Sequence, residues 1–136
     1  MDLNDHNRQL IEEFRTSREK ADGRFASRPL LLLTTTGARS GQRRTVPIMY
    51  VPDGKRLLVI ASNNAAPRHP DWYHNLVAHP VVTVEVRDET FEATPVVVEG
   101  AEYQRLWAGI VEQYPFFAEH QAKVARQIPV IALERR

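Results

Sequence analysis

Apolar and polar positions alternate with two different periods along this chain, and the changes of period mark its elements. Over residues 5–20, Leu10, Ile11 and Phe14 form one apolar stripe at helical spacing, with Leu3 near its start and Gly23 ending the pattern. The stripe is short and the opposite face carries both charge signs, which favours a helix packed on the domain over one that covers a ligand or touches a membrane. Residues 29–35 are apolar on both faces and then rich in threonine, the pattern of a buried central strand. A turn follows at Thr36–Gln42. From Arg43 to Val51 the period is two: Arg44, Val46, Ile48 and Tyr50 share one face, and Thr45, Pro47 and Met49 the other. Pro47 cannot donate to a ladder, which places it at an edge or a bulge. Pro52-Asp53-Gly54-Lys55 has the chemistry of a tight turn, and Arg56–Ala61 is a third strand. Three strands with such short connections predict an antiparallel meander.

The second half continues in the same manner. Ser62–Arg68 is a loop, and Pro70 stands where the first residue of a helix ending near Ala78 is expected. Val81–Val86 and Thr90–Val98 read as a hairpin around Arg87-Asp88-Glu89. A helix over 101–113 turns Tyr103, Leu106, Trp107, Ile110 and Val111 inward, Pro115 interrupts it, and a second helix covers 116–126. Ile128–Leu133 is a closing strand. About six strands and three or four helices result, mainly β, with connections that favour a small, partly open antiparallel barrel over a parallel sheet. The helical segment 1–24 and a barrel domain 25–136 are the expected division.

Composition narrows the functions. The chain has 136 residues, 43% of them hydrophobic, which suits one compact domain. Eighteen basic residues face seventeen acidic ones, so no global excess of positive charge points to nucleic acid. The absence of cysteine excludes disulfides, iron–sulfur clusters and thiolate zinc sites. The N-terminus is too polar for a signal peptide or membrane span, so a cytoplasmic protein without stable membrane insertion is expected.

Candidate chemistry concentrates between residues 30 and 76. Gly37-Ala38-Arg39-Ser40-Gly41-Gln42-Arg43-Arg44 combines turn-permitting glycines, a hydroxyl and planar bidentate donors, suited to a phosphate or carboxylate tail. It is neither a Walker A motif nor a GxGxxG fingerprint, and a solvated polar hairpin is an equal alternative. Ala61, Ser62 and Asn63 begin a loop of small residues that a planar ring can approach. Arg68 adds a possible second clamp, and Trp72 and Tyr73 open a helix where they either wall a pocket or pack in the core. His69, His74 and His79 are spaced by five, about 140° apart on a helix, so no metal site is expected. No GxSxG or HExxH motif occurs. A missing nucleophile is compatible with a cofactor that brings its own chemistry.

Three segments carry a family resemblance: LLLLTTTGARSGQRRTVPIMY, VIASNNAAPRHPDWYHNLVAHPVVTVEV and YPFFAEHQAKVARQIPVIALE. The pairing of TTGxxSGxxRxxP with HPxWYxNLxxxP, within a match from about Phe25 to Leu133, resembles the deazaflavin-dependent nitroreductase, or F420H2-dependent quinone reductase, family. The resemblance implies a split β-barrel of the FMN-binding kind that holds reduced coenzyme F420. It assigns Gly37, Arg39, Ser40, Gly41, Arg43 and Arg44 to the phosphate and tail. Thr45, Val46 and Pro47 approach the ring, Ala61, Ser62 and Asn63 line it, Arg68 adds charge, and Trp72, Tyr73 and Asn75 close the pocket. It implies hydride transfer to a quinone, enone or nitroaromatic, with Ser62 and then Tyr114 as candidate catalytic groups. Phe116 and Phe117 beside Tyr114 make the expected acceptor pocket apolar. A homodimer and weak peripheral membrane contact are further expectations. The competing readings are an FMN- or haem-binding relative, a small nucleic-acid-binding barrel using Arg39, Arg43, Arg44 and Arg68, and a cofactor-storage protein.

Overall fold

The computed structural model describes residues 3–17 and 29–136, with side chains from residue 8 in the first segment and to residue 16. Helix α1 is Leu3–Ser17, β1 is Leu30–Thr36, β2 is Arg43–Met49, β3 is Val51–Asp53 and β4 is Arg56–Ile60. Helix α2 is Asp71–Ala78, β5 is Val82–Val86 and β6 is Glu89–Val97. Helices α3 and α4 are Gly100–Gln113 and Phe116–Ala122, and β7 is Val130–Arg135. The expected end of the first helix, residues 18–20 with Gly23, the side chain of Leu3 and the 24/25 boundary lie outside the described residues.

The seven strands of the described residues form one antiparallel sheet in the order β2-β1-β5-β6-β7-β4-β3. Both hairpins of the expected meander are present, but its middle strand is not continuous. β1 pairs with β2 and with β5, whereas β4 pairs with β3 and β7. The strand expected over 43–51 is two strands that lie at opposite ends of the sheet and are joined by Tyr50 alone. Short connections suggested adjacent pairing, but one residue can also carry the chain across a closing seam. The sheet must curl so that its two edges meet at Tyr50, and the product is a curled half-barrel. The Tyr50 amide donates to Pro29 O at 3.1 Å and its ring is buried in the inner core.

Edge positions explain the prolines. Pro47 on β2 and Pro52 on β3 both lie on outermost strands, where a missing donor costs no ladder bond. Pro95 sits where β6 has run past β5: residues 89–93 pair with β5, and 93–97 with β7. The hairpin turn between them is Arg87-Asp88, with Arg87 at φ 54, one residue tighter than expected.

Alternation sorts the core into two layers. Leu31, Leu33, Val59, Ala61, Val82, Val84, Ile131 and Leu133 fill the inside of the curl, and Leu76 of α2 packs with them. Leu58, Ile60, Val130 and Ala132 face outward, under Tyr103, Leu106, Ile110 and Phe117 of α3 and α4. Tyr103 Oη donates to the buried Ile128 O at 2.6 Å and fixes α3 to the chain entering β7. Helix α4 ends at Ala122, four residues before the expected Arg126. Gln121 explains the early stop: its side chain donates to Arg126 O at 2.7 Å and accepts from Ile128 N at 2.9 Å, turning the chain out of the helix. On α1, Phe14 is buried, Leu10 and Ile11 are half-buried, and Arg15 pairs with Glu85 at 2.9 Å.

Leu33 is fully buried in the inner core. Leu33→Ala is expected to lower the unfolding free energy in urea by about 2–5 kcal/mol, whereas Val77→Ala, at an exposed site, is expected to change it by no more than about 0.5 kcal/mol.

Candidate functional site

The loop joining β1 to β2 is built by its own hydrogen bonds. Gly37 N donates to Gln42 O at 2.7 Å, Gly41 N to Gly37 O at 2.9 Å, and Gln42 N to Ser40 Oγ at 3.1 Å. Gly41 has φ +72, which favours glycine, and a Cβ on Gly37 would run into Ser40 Oγ. The loop is thus a compact turn with Ser40 folded back over it. Asn75, 9% exposed on α2, ties it to the body: Oδ1 accepts from Ala38 N at 2.9 Å and Nδ2 donates to Thr35 Oγ1 at 3.2 Å. Thr34 and Thr45 share a hydroxyl–hydroxyl bond of 2.8 Å across β1 and β2.

Between this loop, α2 and α1 runs an open groove of about 1160 Å³. Among the described residues, five arginines line it, Arg8, Arg39, Arg43, Arg44 and Arg68, and one aspartate, Asp71. Arg43 donates to Thr83 Oγ1 at 2.6 Å, and Arg44 makes only a 3.4 Å contact with Gln42 Oε1. Among the described residues, the guanidiniums of Arg39 and Arg68 have no hydrogen-bond or ion-pair partner. Cations that converge, as Arg39, Arg44 and Arg68 do here, raise one another's electrostatic energy, and an anion in the groove relieves this. The donor set fits a ligand that carries several negative charges.

The groove brings together Gly37, Arg39, Ser40, Arg43, Arg44, Thr45, Val46, Arg68, Trp72 and Asn75 from the sequence-predicted set. Trp72 lines the groove and also packs against the inner core. Gly41 and Pro47 flank the groove in sequence without lining it. Tyr73 packs on the inner core and against His69, with ring centroids 4.6 Å apart. Ala61, Ser62 and Asn63 lie just past the end of β4, outside the groove lining, and Asn63 Nδ2 donates to the carbonyl of Arg68 at 3.0 Å. Ser62 is 8% exposed, and its hydroxyl has no partner among the described residues. Tyr114 is in the outer layer with Phe116 and Phe117, away from the groove. His69, placed before α2 rather than on it, brings its ring 5.8 Å from that of His74.

The chain is similar to known proteins along most of its length. The family model for F420H(2)-dependent quinone reductase matches residues 6–135. The chain belongs to the F420H2-dependent quinone reductase family. An F420H(2)-dependent quinone reductase of Mycobacterium tuberculosis is 41% identical over 111 residues, covering 79% of this chain and 74% of that protein. A solved F420-H2 dependent reductase is 42% identical, covers 79% of this chain and 95% of its own, and superposes with a TM-score of 0.71. Another solved chain, described as a domain-swapped dimer, is 37% identical over 93% of this chain and 97% of its own, with a TM-score of 0.73. Members of the F420H2-dependent quinone reductase family are oxidoreductases that use reduced coenzyme F420, and the split β-barrel is their fold.

Two participants were not among the predicted site residues. Arg8 and Ile11 bring α1 to the groove wall, and only the packing of α1 on β2 could reveal it. Arg126 reaches back to the loop after β4, donating to three carbonyl groups and to His69 Nδ1 at 2.9 Å. No local motif announces a side chain that acts about sixty residues away. Because Arg126 can only donate, His69 Nδ1 must be unprotonated. Burial, then Arg126 and His74, hold the His69 pKa below its usual 6.5.

Two outcomes follow. Asn75→Ala removes the acceptor for Ala38 N and the donor to Thr35, and it is expected to cost about 1–3 kcal/mol in denaturant unfolding. His69 has a lower pKa folded than unfolded, so the unfolded chain binds the proton first. Stability from this group is complete above pH 6.5 and falls as pH drops from there through the lowered folded value. Melting temperatures across that window should decline, and His69→Asn, which keeps an acceptor but cannot titrate, should flatten the decline.

Proposed function

We propose that this chain transfers a hydride from reduced coenzyme F420 to a quinone-type acceptor, with enones and nitroaromatics as further acceptors. The observation that supports it best is the arginine groove, closed on one side by Trp72, beside a loop of small residues. The guanidiniums of Arg39, Arg43, Arg44 and Arg68 exceed the need of a single phosphate, which favours the phosphate and oligoglutamate tail of F420 over FMN.

Arg39, Arg43, Arg44 and Arg68 bind the tail through charge-assisted hydrogen bonds, and Ser40 adds a hydroxyl at the loop. Gly37 and Gly41 let the backbone turn close to it. Thr45, Val46 and Pro47 support the ring from β2, Ala61, Ser62 and Asn63 from the end of β4, and Trp72, Tyr73 and Asn75 from α2. The bound deazaflavin supplies the hydride. The Ser62 hydroxyl is free to donate to charge that develops at the ring or acceptor. Tyr114, with Phe116 and Phe117, lies outside the tail groove and shapes an apolar acceptor pocket on the side of the 61–66 loop, against which α4 packs. No nucleophile is needed for this chemistry.

The partners are a small-molecule acceptor and, by analogy with the domain-swapped relative, a second copy of the chain. No described helix is long and apolar enough to cross a membrane. The mixed charge of α1 supports a cytoplasmic protein with weak membrane contact at most, and most of the protein should stay in the supernatant after sedimentation with anionic liposomes.

Titration with F420 should give saturable fluorescence quenching, and FMN should bind more weakly; the reverse order refutes the assignment. Replacing both Arg43 and Arg44 with alanine is expected to remove about 1.5–3 kcal/mol of F420 binding per lost charged bond, read as the dissociation constant. Unchanged affinity would refute the tail assignment.

A further inference from the structure

The loop after β4 has a backbone that its own residues do not favour. Asn63, Asn64 and Ala65 follow one another at φ 51, 52 and 63. Asparagine tolerates this left-handed region, whereas alanine does not, and three in succession are rarer still. Within the loop, Ala65 N donates to Ser62 O and Ala66 N to Asn63 O, both at 3.0 Å. These two bonds leave the amides of Ser62 and Asn63, and the Ser62 hydroxyl, without partners among the described residues.

One side chain from the far end of the chain holds this loop. Arg126 Nη2 donates to Ser62 O at 2.8 Å and to Ala66 O at 3.1 Å. Nε donates to Ala66 O at 3.2 Å, and Nη1 donates to Ala61 O at 3.1 Å and to His69 Nδ1 at 2.9 Å. Every guanidinium nitrogen is used, no carboxylate neutralises the charge among the described residues, and the backbone of Arg126 is itself held by Gln121. A cation bonded to the Ala61 and Ser62 carbonyls draws electron density from those peptide groups. The next N–H groups, those of Ser62 and Asn63, become stronger donors.

We infer that Arg126 is a positioning residue for hydride transfer: it locks the 61–66 loop, anchors it to the segment leading into α2, and sharpens the unpartnered donors of Ser62 and Asn63. Arg126 touches neither cofactor nor acceptor in this role. The inference rests on the reading of Ala61, Ser62 and Asn63 as the ring side of the F420 site. The tail-binding arginines are a separate set, so loss of Arg126 should affect turnover more than affinity.

The test compares wild type, Arg126→Ala and Arg126→Lys. Three quantities are measured: the dissociation constant for F420 by fluorescence quenching, and kcat and KM for reduced F420 with a quinone acceptor. In Arg126→Ala, kcat should fall about 10–100-fold, while the dissociation constant should move by less than about threefold. Guanidinium at millimolar concentration should restore part of kcat. Lysine keeps the charge but not the fork, so Arg126→Lys should give an intermediate kcat, and it carries the test if the alanine variant does not fold. Unchanged kcat in Arg126→Ala or Arg126→Lys, with a wild type that binds F420, would overturn the inference alone. A parallel loss of kcat and affinity without guanidinium rescue would overturn it as well, because a general loss of structure predicts that. If wild type itself failed to bind F420, the ring-site reading would fall first and the inference with it.

Discussion

A single residue joins the two outermost strands of the sheet. β2 and β3 stand at opposite ends of a seven-strand order, yet only Tyr50 separates them. A flat sheet cannot satisfy that covalent constraint, because its edges would lie several strand spacings apart. The sheet has to curl until the edges meet, and the curl creates an inside for Leu33, Val59, Val84 and Ile131. It also fixes the direction of the β1–β2 loop, since β2 must run from that loop straight to the seam. Helix α2 can then pack its Leu76 inside and offer Asn75 to the loop. The groove exists where these requirements leave space.

Arginine plays two opposed parts around that groove. Arg126 is fully used: five contacts to neutral acceptors satisfy its donors, and burial lowers its pKa from the ordinary value. It behaves as a structural tie. Arg39 and Arg68 have no partner among the described residues, and Arg44 has only a long contact. Their donors are available to a ligand. Proximity in space does not separate these roles, because Arg68 O is itself bonded to the loop that Arg126 holds. The separation comes from hydrogen-bond accounting, since a donor already satisfied by carbonyls gains little from an anion, and an unsatisfied one gains much.

Much of the site was legible in the sequence because its parts are local. The glycines and arginines of residues 37–44 lie in one turn, and a turn keeps its members together whatever the rest of the fold does. Trp72 and Asn75 fall on one helix three residues apart, so they share a face. Ser62 was legible as a residue of interest, but its hydroxyl lies outside the groove lining. The outward placement of Tyr114 depends on which side of the sheet α3 and α4 cover, and a helical stripe does not state that. Arg126 had no local signal, because its acceptors are backbone carbonyls about sixty positions away.

By itself the sequence determined most element types, the buried central strands, the edge or bulge at Pro47 and the family, whereas Pro52, expected in a turn, lies in β3. Each of these rests on a period, a local backbone restriction or a motif confined to a few neighbouring residues. Tertiary structure decided the pairing. It set β4 beside β7 rather than β2, split one expected strand at Tyr50, and brought α1 and Arg126 to the site. Strand pairing is chosen by the competition of all buried faces for one core, and that competition is settled only when the whole chain is closed.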